Sequence, residues 1–257
     1  MKRLDQSGIA HLAVLVLVVF VLGAVGFVGW KVLKSSEDKS PASSGKASKQ
    51  ETNQDDSLAL QNLGLQSFED IDYNQNAVRE YKSNGLKGFY AFGEKLSGNR
   101  LNPNFEYASV KQGAKVVSAI DGMVIDVKEQ PDSKDYEVFV IPKDGSKWVI
   151  GYDHLTNVVV KRGSSVKAGE VLGEPAPQNN GLLRFELQVN EEKDGQTTHH
   201  CPTTLLAEGV REEMLSGLTL MQTKWESTTG LELYNTATQN PIGCVKTTLS
   251  VAEAEGR

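Results

Sequence analysis

The sequence has few of the side chains that build metal centres or disulfide-rich scaffolds. Its 257 residues include only two cysteines and four histidines. Cys201 and Cys244 form no CxxC pair and lack metal-ligand spacing, which excludes a cysteine-based zinc fold. The basic residues are scattered and the net charge is −6. No basic stripe therefore indicates nucleic acid as a partner.

One long uncharged run stands near the N-terminus, at residues 8–30. About 20 apolar residues suffice to cross a bilayer core of roughly 30 Å. Trp30 and the following Lys31 and Lys34 are typical of a membrane–water boundary. We therefore predict a transmembrane anchor after a short tail of residues 1–7. A cleaved signal peptide is the alternative, although its apolar region would span only about 7–15 residues.

The segments that follow the anchor are predicted to carry little regular structure. Residues 31–57 are expected to form a disordered linker, because Ser35 to Ser57 include no large apolar side chain. Residues 58–88 form a poorly defined lead-in with scattered apolar positions. We expect a short helix or a loose strand within it, near Leu58–Ile71.

The middle of the chain is predicted to form a mainly β domain. Short β-branched runs between Gly113 and Val189 are separated by Gly, Pro, Asp and Asn, which favours an antiparallel β-sandwich or open barrel. The first two runs are joined by Asp121 and Gly122, a pair typical of tight turns because glycine tolerates positive φ.

Four motifs in this region resemble the lysostaphin-type (LytM, peptidase M23) domain family. They are residues 113–124 (GAKVVSAIDGMV), which are similar to the family's opening strand pair; residues 151–155 (GYDHL), similar to its Y-x-H-L segment; residues 162–173 (RGSSVKAGEVLG), similar to its glycine-rich hairpin; and residues 181–186 (GLLRFE), similar to G-x-H-L-H-F-E. The resemblance covers residues 89–206 and implies a lysostaphin-type β fold.

The resemblance implies a zinc site, but its ligand positions are altered here. The family holds zinc with H-x-x-x-D and the last His of H-x-H, and two further histidines assist catalysis. The H-x-H positions fall on Leu182 and Arg184, neither of which can ligate a metal. The H-x-x-x-D positions fall on Asn102 and Glu106, or one residue later on Pro103 and Tyr107. Only His154 is kept, so the cleft candidates are Asn102, Glu106, Tyr152, His154, Leu182 and Arg184, with no metal expected.

Two further hypotheses concern charged and metal-ligating side chains. Glu106 and Arg184 replace family ligands with opposite charges, so an ion pair between them is one expectation and exposure of both to solvent is the other. The remaining cluster of metal-ligating types is His199-His200-Cys201. Adjacent residues of an extended segment point to opposite faces, so this run offers at most two ligands to one metal.

A helical extension is predicted at residues 207–257. Val210, Met214, Leu218, Met221 and Trp225 follow one another at steps of four, four, three and four residues, which places them on one helical face. Gly217 is expected to weaken this helix by about 1 kcal/mol. Cys201 and Cys244 flank the helix, so we predict a disulfide between them.

These observations leave three classes of function open. The first is a non-catalytic lysostaphin-like protein, anchored in the cytoplasmic membrane of a bacterium with its domain outside, that binds peptidoglycan or a cell-wall hydrolase. The orientation follows from the resemblance, since the charges on the two sides of the anchor are nearly balanced. The second is an active zinc peptidase with an atypical ligand set. The third is a biotinyl- or lipoyl-like module, although no Met-Lys-Met sequence is present.

Overall fold

The computed structural model describes residues 57–257 except 75–76, 80–82, 84–85 and 179. The predicted anchor and nearly all of the predicted linker lie outside the described residues. Within them, no helix is long and apolar enough to span a bilayer.

The described residues form one mainly antiparallel β domain with a C-terminal helix, as the sequence predicts. The strands are β1 (Phe89–Tyr90), β2 (Phe105–Val110), β3 (Val116–Val117), β4 (Gly122–Gln130), β5 (Asp135–Ile141), β6 (Trp148–Thr156), β7 (Ser165–Val166), β8 (Val171–Pro177), β9 (Leu183–Lys193), β10 (Gln196–His200) and β11 (Thr248–Ser250). The α-helices with defined bounds are α1 (Glu208–Thr229) and α2 (Val251–Glu255), and 3-10 turns lie at Phe68–Asp70, Pro202–Leu205 and Thr236–Thr238.

The sheet is open. Its main path runs β1-β2-β9-β8-β6-β5-β4-β7, and β9 also pairs directly with β6. Strands β10 and β11 extend the sheet from β9, and β3 adds to β8. The long central strands β9, β6 and β5 therefore bring together residues from three separate parts of the chain.

The turn at Asp121–Gly122 differs from the sequence prediction. It does not join two hairpin partners, because β3 pairs with β8 whereas β4 pairs with β5 and β7. Gly122 also lies outside the positive-φ residues. Glycine is needed there for space, since a Cβ would lie 2.3 Å from the carbonyl oxygen of Ile141.

Alternation along β2, β6 and β9 separates an apolar face from a charged one. Tyr107, Tyr152, Phe185 and Leu187 are fully buried. The Phe185 ring stacks between the Tyr107 ring at 5.8 Å and the Tyr152 ring at 6.4 Å. Successive strand side chains point to opposite faces, so the residues between these aromatics face away from the core.

The lead-in is better ordered than the sequence predicts. Leu60, Leu63 and Ile71 are almost completely buried in the core. Leu60 forms a parallel bridge with Leu206, and Leu65 forms an antiparallel bridge with Val116. The sequence of this segment shows no strand periodicity, because only isolated residues of it pair with the domain.

Helix α1 has the apolar face predicted from its spacing. Leu218, Met221 and Trp225 are buried, and Val210 and Met214 pack against the core. Gly217 has a packing role, since a Cβ there would lie 2.4 Å from the Phe68 ring. The chain after α1 is joined to the sheet by a disulfide between Cys201 and Cys244, the pair proposed from the sequence.

Candidate metal centre

A row of carboxylates crosses four neighbouring strands on the charged face of the sheet. Glu106 of β2 lies directly opposite Glu186 of β9, and Glu186 lies directly opposite Asp153 of β6. Glu137 of β5 continues the row beside Asp153. Like charges directly opposite each other destabilise a sheet, so this face requires nearby positive charge.

His154 lies at the centre of this row. It is 7 % exposed, and its φ of 60° is unusual for a residue with a side chain. Its Nδ1 lies 2.6 Å from Oδ2 of Asp135. Its Nε2 lies 3.4 Å from Oε1 of Glu186 and 3.7 Å from Oδ2 of Asp153. Both ring nitrogens therefore face carboxylates.

The two carboxylates near Nε2 are each held by a donor on their other oxygen. The side-chain amide of Asn104 donates to Oε2 of Glu186. Oδ1 of Asp153 accepts from Gln130 Nε2 at 2.5 Å and from the backbone N–H of His154 at 2.6 Å. Their remaining oxygens point towards His154, so the cluster has a fixed geometry.

For both His154 and Glu186, burial and the neighbouring charged groups shift the pKa in opposite directions, and the neighbouring groups have the larger effect. Burial alone would lower the pKa of His154, but Glu186, Asp153 and Asp135 outweigh it and raise the pKa to about 9. Burial would raise the pKa of Glu186, yet His154, Arg184 and Asn104 hold it below its ordinary value.

The carboxyl groups at the two ends of the row, those of Glu106 and Glu137, have raised pKa values. Burial, reinforced by Glu186, raises the pKa of Glu106 to about 7. Burial, reinforced by Asp153, raises the pKa of Glu137 to about 8. These two groups are therefore only partly ionised at neutral pH.

Arg184 contributes a second positive charge. Its Nη2 lies 3.3 Å from Nδ1 of His154, and its Nη1 lies 3.9 Å from Oε1 of Glu186. No ion pair within 4 Å joins Arg184 to Glu106 among the described residues, so the expected direct pair is replaced by a contact with Glu186. The reason is the register, because Arg184 and Glu186 lie two residues apart on one face of β9.

The cleft candidates from the sequence separate into two groups. The structure brings Glu106, His154 and Arg184 together. Asn102 is buried elsewhere, where it donates to the carbonyls of Tyr90 and Ala91. Tyr152 belongs to the core, and its hydroxyl accepts the N–H of Ala119 at 2.7 Å. Leu182 is buried immediately before β9.

Sequence reasoning missed Asn104, Gln130, Asp135, Asp153 and Glu186. Asp153 and Glu186 lie within the motifs GYDHL and GLLRFE, and strand alternation could have placed them on one face. Asp135 carried no such signal, because β-sheet pairing brings it to His154 from 19 residues away.

The family's zinc positions do not suit a metal in this chain. Arg184 puts a guanidinium cation at one ligand position of the motif. Asn102, at another, donates its side-chain amide to backbone carbonyls. A different group could hold an ion, since ligand atoms of Asp153, His154 and Glu186 all lie within 4.8 Å of one another. The expected absence of a metal therefore stays a prediction.

The run His199-His200-Cys201 offers no comparable group. His199 Nδ1 lies 2.8 Å from Oδ1 of Asn190, whereas His200 Nε2 lies 3.0 Å from Oε2 of Glu191. Cys201 is in the disulfide. The three neighbours have separate partners.

Part of this chain is similar to a known protein family. Residues 106–195, well under half of the chain, match the model of peptidase family M23. A search of curated proteins finds no match.

Among solved structures, the catalytic domain of the prophage-encoded M23 protein EnpA from Enterococcus faecalis has 19% identity and a TM-score of 0.36, over 46% of this chain and 91% of that one. The catalytic domain of lysostaphin from Staphylococcus simulans has 16% identity and a TM-score of 0.34, over 42% and 80%. Csd3 from Helicobacter pylori has 16% identity and a TM-score of 0.39, over 71% and 46%. Over residues 106–195, this chain thus resembles peptidase family M23, the lysostaphin-type family that its motifs predict.

Proposed function

We propose that the protein is a membrane-anchored, non-hydrolytic M23-like protein that acts outside the cytoplasmic membrane and binds cell-wall peptide or regulates a cell-wall hydrolase. The resemblance to family M23 supports the link to the cell wall. The uncharged run at residues 8–30 supports the anchor.

Arg184 is the single observation that carries the proposal. It occupies the family's metal-ligating position and directs its guanidinium at His154 and Glu186, at 3.3 Å and 3.9 Å. A guanidinium has donors only and stays protonated. It cannot ligate zinc, so the family's zinc-bound water has no equivalent at this position.

The environment of His154 also disfavours the family's proton transfer. A general base works best when its pKa is near the operating pH. The neighbouring carboxylates raise the pKa of His154 to about 9, so at neutral pH the imidazole carries a proton and cannot accept another.

A cavity of about 250 Å³ near the start of β9 supports peptide binding. Leu182 and Leu183 line it together with the polar residues Asp72, Asn74 and Gln112. Polar groups make up most of the exposed lining, so the cavity offers hydrogen-bond partners to a peptide backbone.

The disulfide supports a location outside the cytoplasm. Disulfides persist in oxidising compartments and are rare in the cytosol. Cys201 and Cys244 account for both cysteines of the chain.

The test compares binding and hydrolysis by the same protein. The full chain, purified in detergent, is mixed with insoluble peptidoglycan, and sedimentation measures binding while new free amino groups measure hydrolysis. We expect binding with no release above a buffer blank, with or without added Zn²⁺. Arg184→Gln keeps donors but removes the charge, and it serves as the matched variant.

An active zinc peptidase with a different ligand set is the second candidate, because Asp153, His154 and Glu186 could hold an ion. Release of amino groups that a chelator abolishes would favour it and would overturn the non-hydrolytic proposal. A protein that neither sediments with peptidoglycan nor retains a hydrolase would overturn the binding part.

A further inference from the structure

We propose that Asp153, His154 and Glu186 form a binding site for a divalent transition-metal ion, of which Zn²⁺ is the best match. The ligands would be Oδ2 of Asp153, Nε2 of His154 and Oε1 of Glu186. None of these residues occupies a ligand position of the M23 motif, so the site is new to this chain. The inference does not depend on whether the domain hydrolyses anything.

The distances from Nε2 of His154 to the two carboxylate oxygens are close to those around one tetrahedral ion, and the three ligand atoms all lie within 4.8 Å of one another. Nε2 lies 3.4 Å from Oε1 of Glu186 and 3.7 Å from Oδ2 of Asp153. Zn–N and Zn–O bonds of about 2.0–2.2 Å in a tetrahedral site separate neighbouring ligand atoms by roughly 3.3–3.6 Å. Imidazole and carboxylate are both zinc ligands, whereas Mg²⁺ prefers oxygen alone. A transition metal therefore suits the set.

Each proposed ligand is oriented by an outer hydrogen bond. Asp135 faces Nδ1 of His154 at 2.6 Å, the arrangement that leaves Nε2 directed at a metal. Asn104 holds the far oxygen of Glu186 and Gln130 holds that of Asp153. Metal sites have such outer partners on their ligands, whereas carboxylates that merely face solvent do not need them.

A buried unpaired atom lies beside the site. Asn104 is 7 % exposed, and its Oδ1 has no hydrogen-bond partner within the described part of the chain. Its amide nitrogen contacts Glu186, so the Asn104 side chain lies beside one of the proposed ligands. A buried acceptor without a partner destabilises the fold, and a water molecule bound to the ion would supply a donor for it.

The charges also favour a divalent cation in place of a protonated His154. Asp135, Asp153 and Glu186 stand against one guanidinium, that of Arg184, when His154 is neutral. A divalent ion would balance the two remaining negative charges and relieve the direct opposition of Asp153 and Glu186 across β6 and β9. The ion would replace the proton that His154 otherwise carries.

The test measures metal content and metal-dependent unfolding of the full chain in detergent. After loading with Zn²⁺ and dialysis, elemental analysis should find close to one equivalent in the unaltered protein. Asp153→Asn and Glu186→Gln keep the side-chain shape and should retain less than about a fifth of an equivalent. Asp135→Asn should weaken binding by about 10–100-fold.

Glu191→Gln is the matched control, because it removes a carboxylate of β9 that faces His200 of β10 rather than His154. It should bind Zn²⁺ as the unaltered protein does. Zn²⁺ should also raise the unfolding temperature of the unaltered protein and of Glu191→Gln, but not that of Glu186→Gln. Cooperative unfolding of Glu186→Gln in EDTA would show that this variant folds.

The proposal is overturned if the unaltered chain retains less than about a tenth of an equivalent. It is equally overturned if Asp153→Asn and Glu186→Gln retain as much as the unaltered chain, or if Glu191→Gln loses as much as Glu186→Gln. Metal retention by itself demonstrates neither peptidoglycan binding nor hydrolysis, so this inference and the proposed function can fail separately.

Discussion

Phe185 and Glu186 are neighbours on β9, yet they belong to regions with opposite energetics. Phe185 stacks between Tyr107 and Tyr152 in the core. Glu186 lies between Glu106 and Asp153 on the other face. One face stabilises the sheet by removing apolar area from water, whereas the other concentrates like charges that oppose folding. The stability of the sheet therefore depends mainly on the apolar face, whereas the charged face is where the proposed ion would bind.

The largest effect is expected on the apolar face. Phe185→Ala should lower the free energy of unfolding by about 3–5 kcal/mol, because it removes a buried ring and leaves a cavity. Urea unfolding measures the change. Leu187→Ala on the same face should cost about 2–5 kcal/mol. A loss below about 1 kcal/mol for Phe185→Ala would show that this layer is not the main source of stability.

A smaller effect is expected where α1 packs against the lead-in. Helix propensity alone predicts that Gly217→Ala stabilises the protein by about 1 kcal/mol. The structure predicts the opposite, a loss of about 1–3 kcal/mol, because the new Cβ would lie 2.4 Å from the Phe68 ring. Gly209→Ala, in the same helix with open space around it, is the control. A gain at Gly217 would mean that Phe68 moves away freely.

The smallest effect, of opposite sign, is expected on the charged face. Burial and Asp153 raise the pKa of Glu137 from 4.5 to about 8, so the folded state holds this proton more tightly than the unfolded state. Stability should therefore fall as the pH rises from about 5 through 8. Glu137→Gln removes this dependence and should raise the free energy of unfolding at pH 8.5, with little change at pH 4. The full pKa difference corresponds to roughly 5 kcal/mol, but Glu137 is only partly buried and solvent screens its interactions, so we expect about 1–2 kcal/mol.

Urea unfolding of both proteins at the two pH values measures that difference. The control is Glu129→Gln, which removes an exposed carboxylate from β4 and should change little at either pH. Equal stability of Glu137→Gln and the unaltered protein at pH 8.5 would contradict the burial of this carboxyl group.

The sequence predicts the parts of the fold that local patterns determine. The β-branched runs identify the strands, and the spacing from Val210 to Trp225 identifies α1. Gly217 and Gly122 show the limit of such reasoning, because their roles arise from atoms of Phe68 and Ile141 that are distant in sequence. The burial of the lead-in was not predicted either, since only single residues such as Leu60 dock on the core.

The candidate site was predictable only in part. The motifs identified His154, Arg184 and Glu106, and the alternation of β9 could have added Glu186. The contact between His154 and Asp135 depends on the register of β5 and β6, which shifts between Tyr136 and Val138. No local pattern encodes that shift, so the partner that orients the imidazole could not be read from the sequence.

The disulfide between Cys201 and Cys244 closes a covalent ring that includes the whole of α1. A protease that cuts the backbone once between these cysteines would produce two chain segments still joined to each other. The nicked molecule would keep its mass, apart from one added water, until a reductant separated the pieces. In a compartment that contains hydrolytic enzymes, this ring protects the domain from losing its C-terminal part after a single cut.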